Sequence, residues 1–380
     1  MKRVLPVIVI AVVTLVVAAL IADFALKTSW RRAGHREWPD GLGRLEDFPK
    51  RFPTAQPTPA ALRLIELGRP LGIEFTEKKK SAAPDVSKTI GEYVKAEQER
   101  GAVEIEPAPA EAVAFLDGHE REIDTLRDHL LTHGAAIGWS VNLDAGLDAP
   151  IPNLLGHMHT ARLLTARALV RARAGDPRAW MDLEAVSRLE QSLQKRPDTM
   201  SQLISLAIAR MANGVAWKLP LPAPASFGSD TDRDHLLLRA WQGEAWTMWR
   251  HAMKDAAPFA GQPLMRAGMA NMAIHQHDMA EELAKVTACH FDGKEFSERA
   301  VAEIPRWNIM GRIALPNIGE AWTRVRRFEA EREATANALR IRAGQPIVAQ
   351  SRCTDGSWRY ENGTLSFTGD LPLTLIISRR

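Results

Sequence analysis

The sequence predicts a mainly α protein with an N-terminal transmembrane helix, a multi-helix bundle of antiparallel helix pairs, and a small C-terminal antiparallel β-hairpin or three-stranded sheet. Three observations carry that reading. Val4 to Ala22 (VLPVIVIAVVTLVVAALIA) is nineteen residues without a charge, and as a helix it would span roughly 28 Å, close to the ~30 Å of bilayer hydrocarbon. Apolar residues then recur at helical spacing over most of the next three hundred positions, punctuated by Gly and Pro. Beyond Pro346 the period changes to two around Asn362-Gly363, the dipeptide best suited to a two-residue type I′ hairpin.

The leading run follows Lys2 and Arg3, and it reads as a membrane anchor over 1–26. A cleaved secretory signal is the alternative, with a small-residue cleavage point at Val17-Ala18-Ala19, although the run exceeds the ~7–15 residues of a signal core. Lys2 and Arg3 favour a cytoplasmic N-terminus, whereas Lys27, Arg31, Arg32 and Arg36 vote the other way. Long domains cross regardless of local charge, so the body is expected outside the cytoplasm, in the periplasm, as a single-pass envelope protein.

Residues 27–57, rich in Arg, Pro and Asp, read as a tether or irregular wrap. A helical region over 58–220 follows. Ala60 to Leu67 is amphipathic and closed by Gly68 and Pro70. Glu77 to Pro84, with three lysines, is a charged loop that could touch anionic lipid but has the composition of a solvated one. Val86 to Arg100 predicts a helix, as does Ala110 to His133, whose Val113, Leu116, Ile123, Leu126 and Leu130 keep one face apolar. Gly134 to Pro152 reads as a loop. Asn153 to Leu219 divides into three helices at Gly175-Asp176-Pro177 and Lys195-Arg196-Pro197, and such short connections force antiparallel neighbours.

Pro220 to Ser229 is the sharpest compositional break and the expected hinge. A second helical region, 230–345, is expected to pack on the first. Asp230 or Asp232 would cap a helix running to about Ala257 with Trp241, Trp246 and Trp249 on it; these rings would line a groove or fill a core. Helices are further predicted over Pro263 to Cys289, Phe296 to Glu303 and Asn317 to Ala343. In the tail, 346–380, the hairpin register places Trp358 opposite Phe367 and Tyr360 opposite Leu365, with Leu373, Leu375 and Ile377 in a third strand.

The balance of 49 basic against 46 acidic residues, a formal +3, offers no general field to gather nucleic acid. No nucleotide loop, GxSxG elbow, HExxH helix, CxxC pair or GxGxxG turn occurs. His157 and His159, like His275 and His277, stand two apart, ~200° around a helix, too far to chelate one ion. Met265, Met269, Met272, His275 and Met279 fall within ~120° of one another; thioethers with imidazole suit Cu(I), and core packing is the competing role. His277 with Glu281 and His251 with Asp255 are i,i+4 pairs with acid/base potential. Cys289 and Cys353, the only cysteines, would form one long-range disulfide in an oxidising compartment or remain two buried thiols.

The arrangement of the anchor, ALRLIELGRPLGIEF, PNLLGHMHTARLLTARALVRARAGD, RPDTMSQLISLAIAR and the closing CTDGSWRYENGTLSF resembles a set of uncharacterised membrane-anchored, mostly helical bacterial envelope proteins. That resemblance implies layout and no activity. The ending is also similar to the C-terminal region of pseudopilins, although the first helix lacks their glycine-aromatic processing site and Glu. The expected function is binding or scaffolding at the lipid bilayer beside a partner protein of the envelope, with no cofactor. The alternatives are an extracytoplasmic enzyme, such as a hydrolase, with a site dispersed in sequence, and copper binding through the Met/His stripe.

Overall fold

The computed structural model describes residues 4–76, 84–224, 231–254, 262–308, 312 and 318–377. Among them the fold is mainly helical, with a three-stranded antiparallel sheet at the C-terminal end. The helices are α1 (Val4–His35), α2 (Phe48–Arg51), α3 (Pro59–Gly68), α4 (Pro84–Glu99), α5 (Ala110–Gly118), α6 (Glu120–His133), α7 (Leu154–Arg173), α8 (Ala179–Gln194), α9 (Thr199–Ala216), α10 (Arg233–Lys254), α11 (Gln262–Leu283), α12 (Gly293–Glu303) and α13 (Ile318–Arg342). Two short strands, β1 (Glu37–Trp38) and β2 (Gly43–Arg44), precede the sheet of β3 (Trp358–Glu361), β4 (Thr364–Phe367) and β5 (Thr374–Ile376).

The chain forms two compact units. The smaller comprises 1–52, 241–285 and 294–318, the larger 53–240, 286–293 and 319–380. The range 230–345 is therefore divided between both, and the C-terminal sheet shares a unit with the helices of 58–220.

In the smaller unit, α1 continues nine residues past the expected end of an anchor at 26, because nothing between Ala22 and Gly34 interrupts a helix. It packs on α11. Residues 36–52 thus pack within the smaller unit, as the irregular-wrap alternative has it. A tight turn at Asp40 and Gly41, both at positive φ, pairs β1 with β2, and Trp38, Leu42, Leu45 and Phe48 are buried. The few apolar residues of this stretch are large, so they hold it down without any periodicity. Among the described residues no helix is long and apolar enough to cross a membrane. Most side chains of 4–22 lie outside the described residues, as do the lysine loop 77–83, Asp230, His251 with Asp255, and Met265.

In the larger unit α7, α8 and α9 form antiparallel neighbours, with α4 and α6 against them. Each end has its local cause. Asn153 caps α7 by accepting from the backbone of Leu155 and Gly156, Gly175 turns at φ 73°, and Asp198 caps α9 by accepting from Ser201. The segment predicted as one helix over 110–133 is two, since His119 leaves helical geometry at φ −122°, ψ 22° and its Nδ1 bonds the Phe115 carbonyl at 3.0 Å. α11 ends at Leu283, short of Cys289. The hairpin has the expected register, Trp358 opposite Phe367 and Tyr360 opposite Leu365, with Asn362 and Gly363 at φ 50° and 79°. Its Trp358, Leu365 and Phe367 bury against Ala330, Ala334 and Ala338 of α13, which supplies the support a small sheet needs in water.

Candidate functional site

A cleft of about 1300 Å³ lies within the larger unit. Six separate stretches bound it. Gly175 and Arg173 come from the end of α7, Val103 and Ile105 from the connection after α4, and Lys218 with Pro220 from the turn after α9. Ile341 and Arg342 close α13, Ile347 follows it, Tyr360 comes from β3 and Ile377 follows β5. The α7 end is placed by the tight Gly175 turn. The 217–220 turn is placed by Arg342, which donates to the Trp217 and Leu219 carbonyls, and by Trp180, whose indole N–H bonds the Pro220 carbonyl at 2.6 Å.

Three cations reach this cleft, in three different states. Lys218 has a fully buried side chain whose ammonium donates to the Glu97 carbonyl at 2.6 Å and to its carboxylate at 3.0 Å. Burial pushes its pKa down while Glu97 pulls it back. Glu97, itself buried, also accepts from the Glu106 backbone at 3.2 Å and lies 3.4 Å from Arg100, so this charge is part of the floor. Arg342 is half-buried and holds backbone. Arg173 is exposed; its hydrogen bond goes to the Ile105 carbonyl at 3.4 Å, and among the described residues no carboxylate pairs with it. The arrangement can therefore hold an anion at one end while Ile105, Ile341, Ile347 and Leu221 present apolar surface to the rest of a ligand.

The residues singled out from sequence do not converge there. On α11, Met272 and Met279 are buried in the smaller unit, Met269 and His275 are half-buried, and His275 Nε2 donates to the Ala300 carbonyl at 2.7 Å. The periodicity that aligns them is that of a packed helix face. His277 donates from Nε2 to the Glu37 carbonyl at 2.8 Å and has Arg36 3.3 Å from Nδ1, so neither nitrogen of the group His277, Asp278 and Glu281 is open to a metal ion. Glu281 stands 3.9 Å away. Trp241 and Trp246 are buried, and the Trp241 indole donates to the Gln276 carbonyl at 3.0 Å. Trp249 stacks on Trp30 at 4.5 Å, each indole donating to the other's carbonyl. Trp241 and Trp246 thus fill a core, and Trp249 is held against Trp30.

Cys289 and Cys353 form a disulfide across 64 residues with a Cα separation of 5.2 Å, and Asp355 beside it accepts from the backbone of Cys289 and His290 at 2.9 and 2.8 Å. His157 is fully buried on α7. It donates from Nδ1 to the Asn153 carbonyl at 3.0 Å and lies edge-on to Phe75 and Trp139 at 5.1 and 4.8 Å. Burial lowers its pKa to about 4.

Periodicity missed a buried ionic cluster joining α6, α7 and α8. Asp182, wholly buried, accepts from Arg167 and from Arg171 at 2.9 Å, while Asp124 accepts from Arg167 at 2.9 Å and Arg127 at 2.7 Å. Burial pushes the Asp182 carboxyl up and the guanidiniums pull it back. The available signal was two arginines four apart inside the Ala/Leu-rich run LLTARALVRAR, on a helix with apolar neighbours all round. A second cluster joins Glu190, Ser205 and Arg233, with the Glu190 carboxylate 2.7 Å from Arg233.

No family model matches this chain, and neither a curated protein nor a solved structure shows a significant match to it.

Proposed function

We propose that this chain is a membrane-anchored helical protein of the cell envelope that binds a ligand in the cleft of its larger unit. The cleft carries the reading. Six segments spread from residue 103 to residue 377 bring partly exposed Ile105, Ile341 and Ile347 to one cleft beside Arg173, which no carboxylate pairs among the described residues, an arrangement that leaves apolar surface and charge uncovered. The buried clusters around Asp182 and Glu190 are closed on themselves.

Anchoring rests on the uncharged run 4–22 together with Val13, Val16, Val17, Ile21 and Phe24, each between 48% and 73% exposed on α1. An apolar stripe of that kind is costly in water and stabilised in lipid.

Two measurements test the proposal. Full-length protein in host membranes should resist extraction by alkaline carbonate; recovery in the supernatant would overturn the anchor. Native mass spectrometry of the purified chain should show a co-purifying small-molecule adduct that is absent from Ala172→Trp, whose indole would fill the cleft. An adduct retained in that variant, or none in either protein, would remove the binding reading.

A further inference from the structure

We infer that the ligand of this cleft is an amphiphilic anion, a carboxylate or phosphate head on a hydrocarbon chain, with the head held by Arg173. This rests on the binding reading above and adds the chemical class.

Charge decides the head. Arg173 ends α7, where a cation is favoured by the helix dipole, and it lines the cleft exposed to solvent, with one long bond to the Ile105 carbonyl. The planar fork can take a carboxylate or phosphate with two parallel N–H donors. Lys218 also lines the cleft, but its ammonium is buried and neutralised by Glu97 3.0 Å away, so Arg173 is the cation that can meet the head. Glu104, exposed on the rim, is the acidic residue among the described lining, and it disfavours a dianion more than a monoanion.

Apolar surface decides the tail. Val103, Ile105, Ile341 and Ile347 line the cleft and are each only half-buried, and Leu221 is 37% exposed. A cleft of about 1300 Å³ exceeds the ~300–1,000 Å³ of common small-ligand sites, and an elongated chain can use that room by covering these five side chains at once. A sugar would need convergent hydroxyl partners where these isoleucines stand, and a bare anion would leave them exposed.

The test uses the full chain in phosphatidylcholine nanodiscs, with empty nanodiscs subtracted, and equilibrium dialysis of octanoate, octyl phosphate, octyltrimethylammonium, octyl glucoside and inorganic phosphate. Octanoate and octyl phosphate should bind at least tenfold more tightly than the cationic and neutral octyl probes, and inorganic phosphate should not bind measurably. Arg173→Glu should weaken the two anionic amphiphiles at least tenfold and leave octyl glucoside unchanged. Arg173 is exposed, so this variant is expected to fold, and its far-ultraviolet circular dichroism should match the parent. Equal binding of all four octyl probes would overturn the anionic class while leaving a ligand-binding cleft intact. Binding of phosphate as tightly as octyl phosphate would overturn the amphiphile, and no binding of any probe would overturn both.

Discussion

Acid should weaken this fold through one imidazole. His157 is fully buried between Phe75 and Trp139, its Nδ1 proton is committed to the Asn153 carbonyl, and Nε2 has no hydrogen-bond partner among the described residues. The positive Arg196 nearby adds to the cost of a second proton, and the pKa falls from 6.5 to about 4. The unfolded chain therefore takes up a proton between about pH 6.5 and 4 that the folded chain refuses. The corresponding stability is complete above pH 6.5, declines as the pH drops through that window, and is gone below about 4. A difference of about 2.5 pKa units at 1.36 kcal/mol each gives an upper bound of about 3.4 kcal/mol. Urea unfolding of the full chain in nonionic detergent, followed by tryptophan fluorescence from pH 8 to 4, should show a steeper loss for the natural protein than for His157→Phe. The ring of that variant suits the same aromatic box and cannot titrate. Taking the difference cancels every other titrating group. Parallel pH profiles for the two proteins would refute the reasoning.

Asp234 should act with the opposite sign: burial raises its carboxyl to about 6 against the pull of Arg326 2.7 Å away, so stability declines as pH rises from about 4 to 6, and Asp234→Asn should flatten that part of the profile. Asp182→Ala leaves Arg167 and Arg171 buried without their carboxylate and should cost about 3–5 kcal/mol in urea unfolding, whereas Asp278→Ala, on an exposed pair with Arg36, should cost about 1 kcal/mol or less. Without reductant neither Cys289 nor Cys353 should alkylate, and Cys289→Ser with Cys353→Ser should lose about 2–4 kcal/mol, since the bridge closes a loop of 64 residues. Gly156→Ala should destabilise by more than the ~1 kcal/mol that propensity alone would return, because the new Cβ would overlap the Glu74 carbonyl in a fixed backbone approach.

Wherever a structure is closed by neighbours in sequence, the sequence alone determined it. The Asn362-Gly363 turn sets its own register through two positive φ angles, and Gly175, Pro177 and Asp198 divide 153–219 into the helices observed, because caps and turns act over three or four residues. The Met272, His275 and Met279 stripe shows the limit of the same signal, since a face at helical spacing is equally a core face, and burial at 2% and 4% makes it one here. Residues 27–57 show the reverse, where large side chains without a period still fold. Only the tertiary structure decided the rest. It joins Cys289 to Cys353, stacks Trp30 on Trp249 across 219 positions, turns Arg167, Arg171 and Asp182 inward, and gathers the cleft from segments between 103 and 377. Those contacts depend on which faces are left over after the helices pack, and that remainder has no period along the chain to be read.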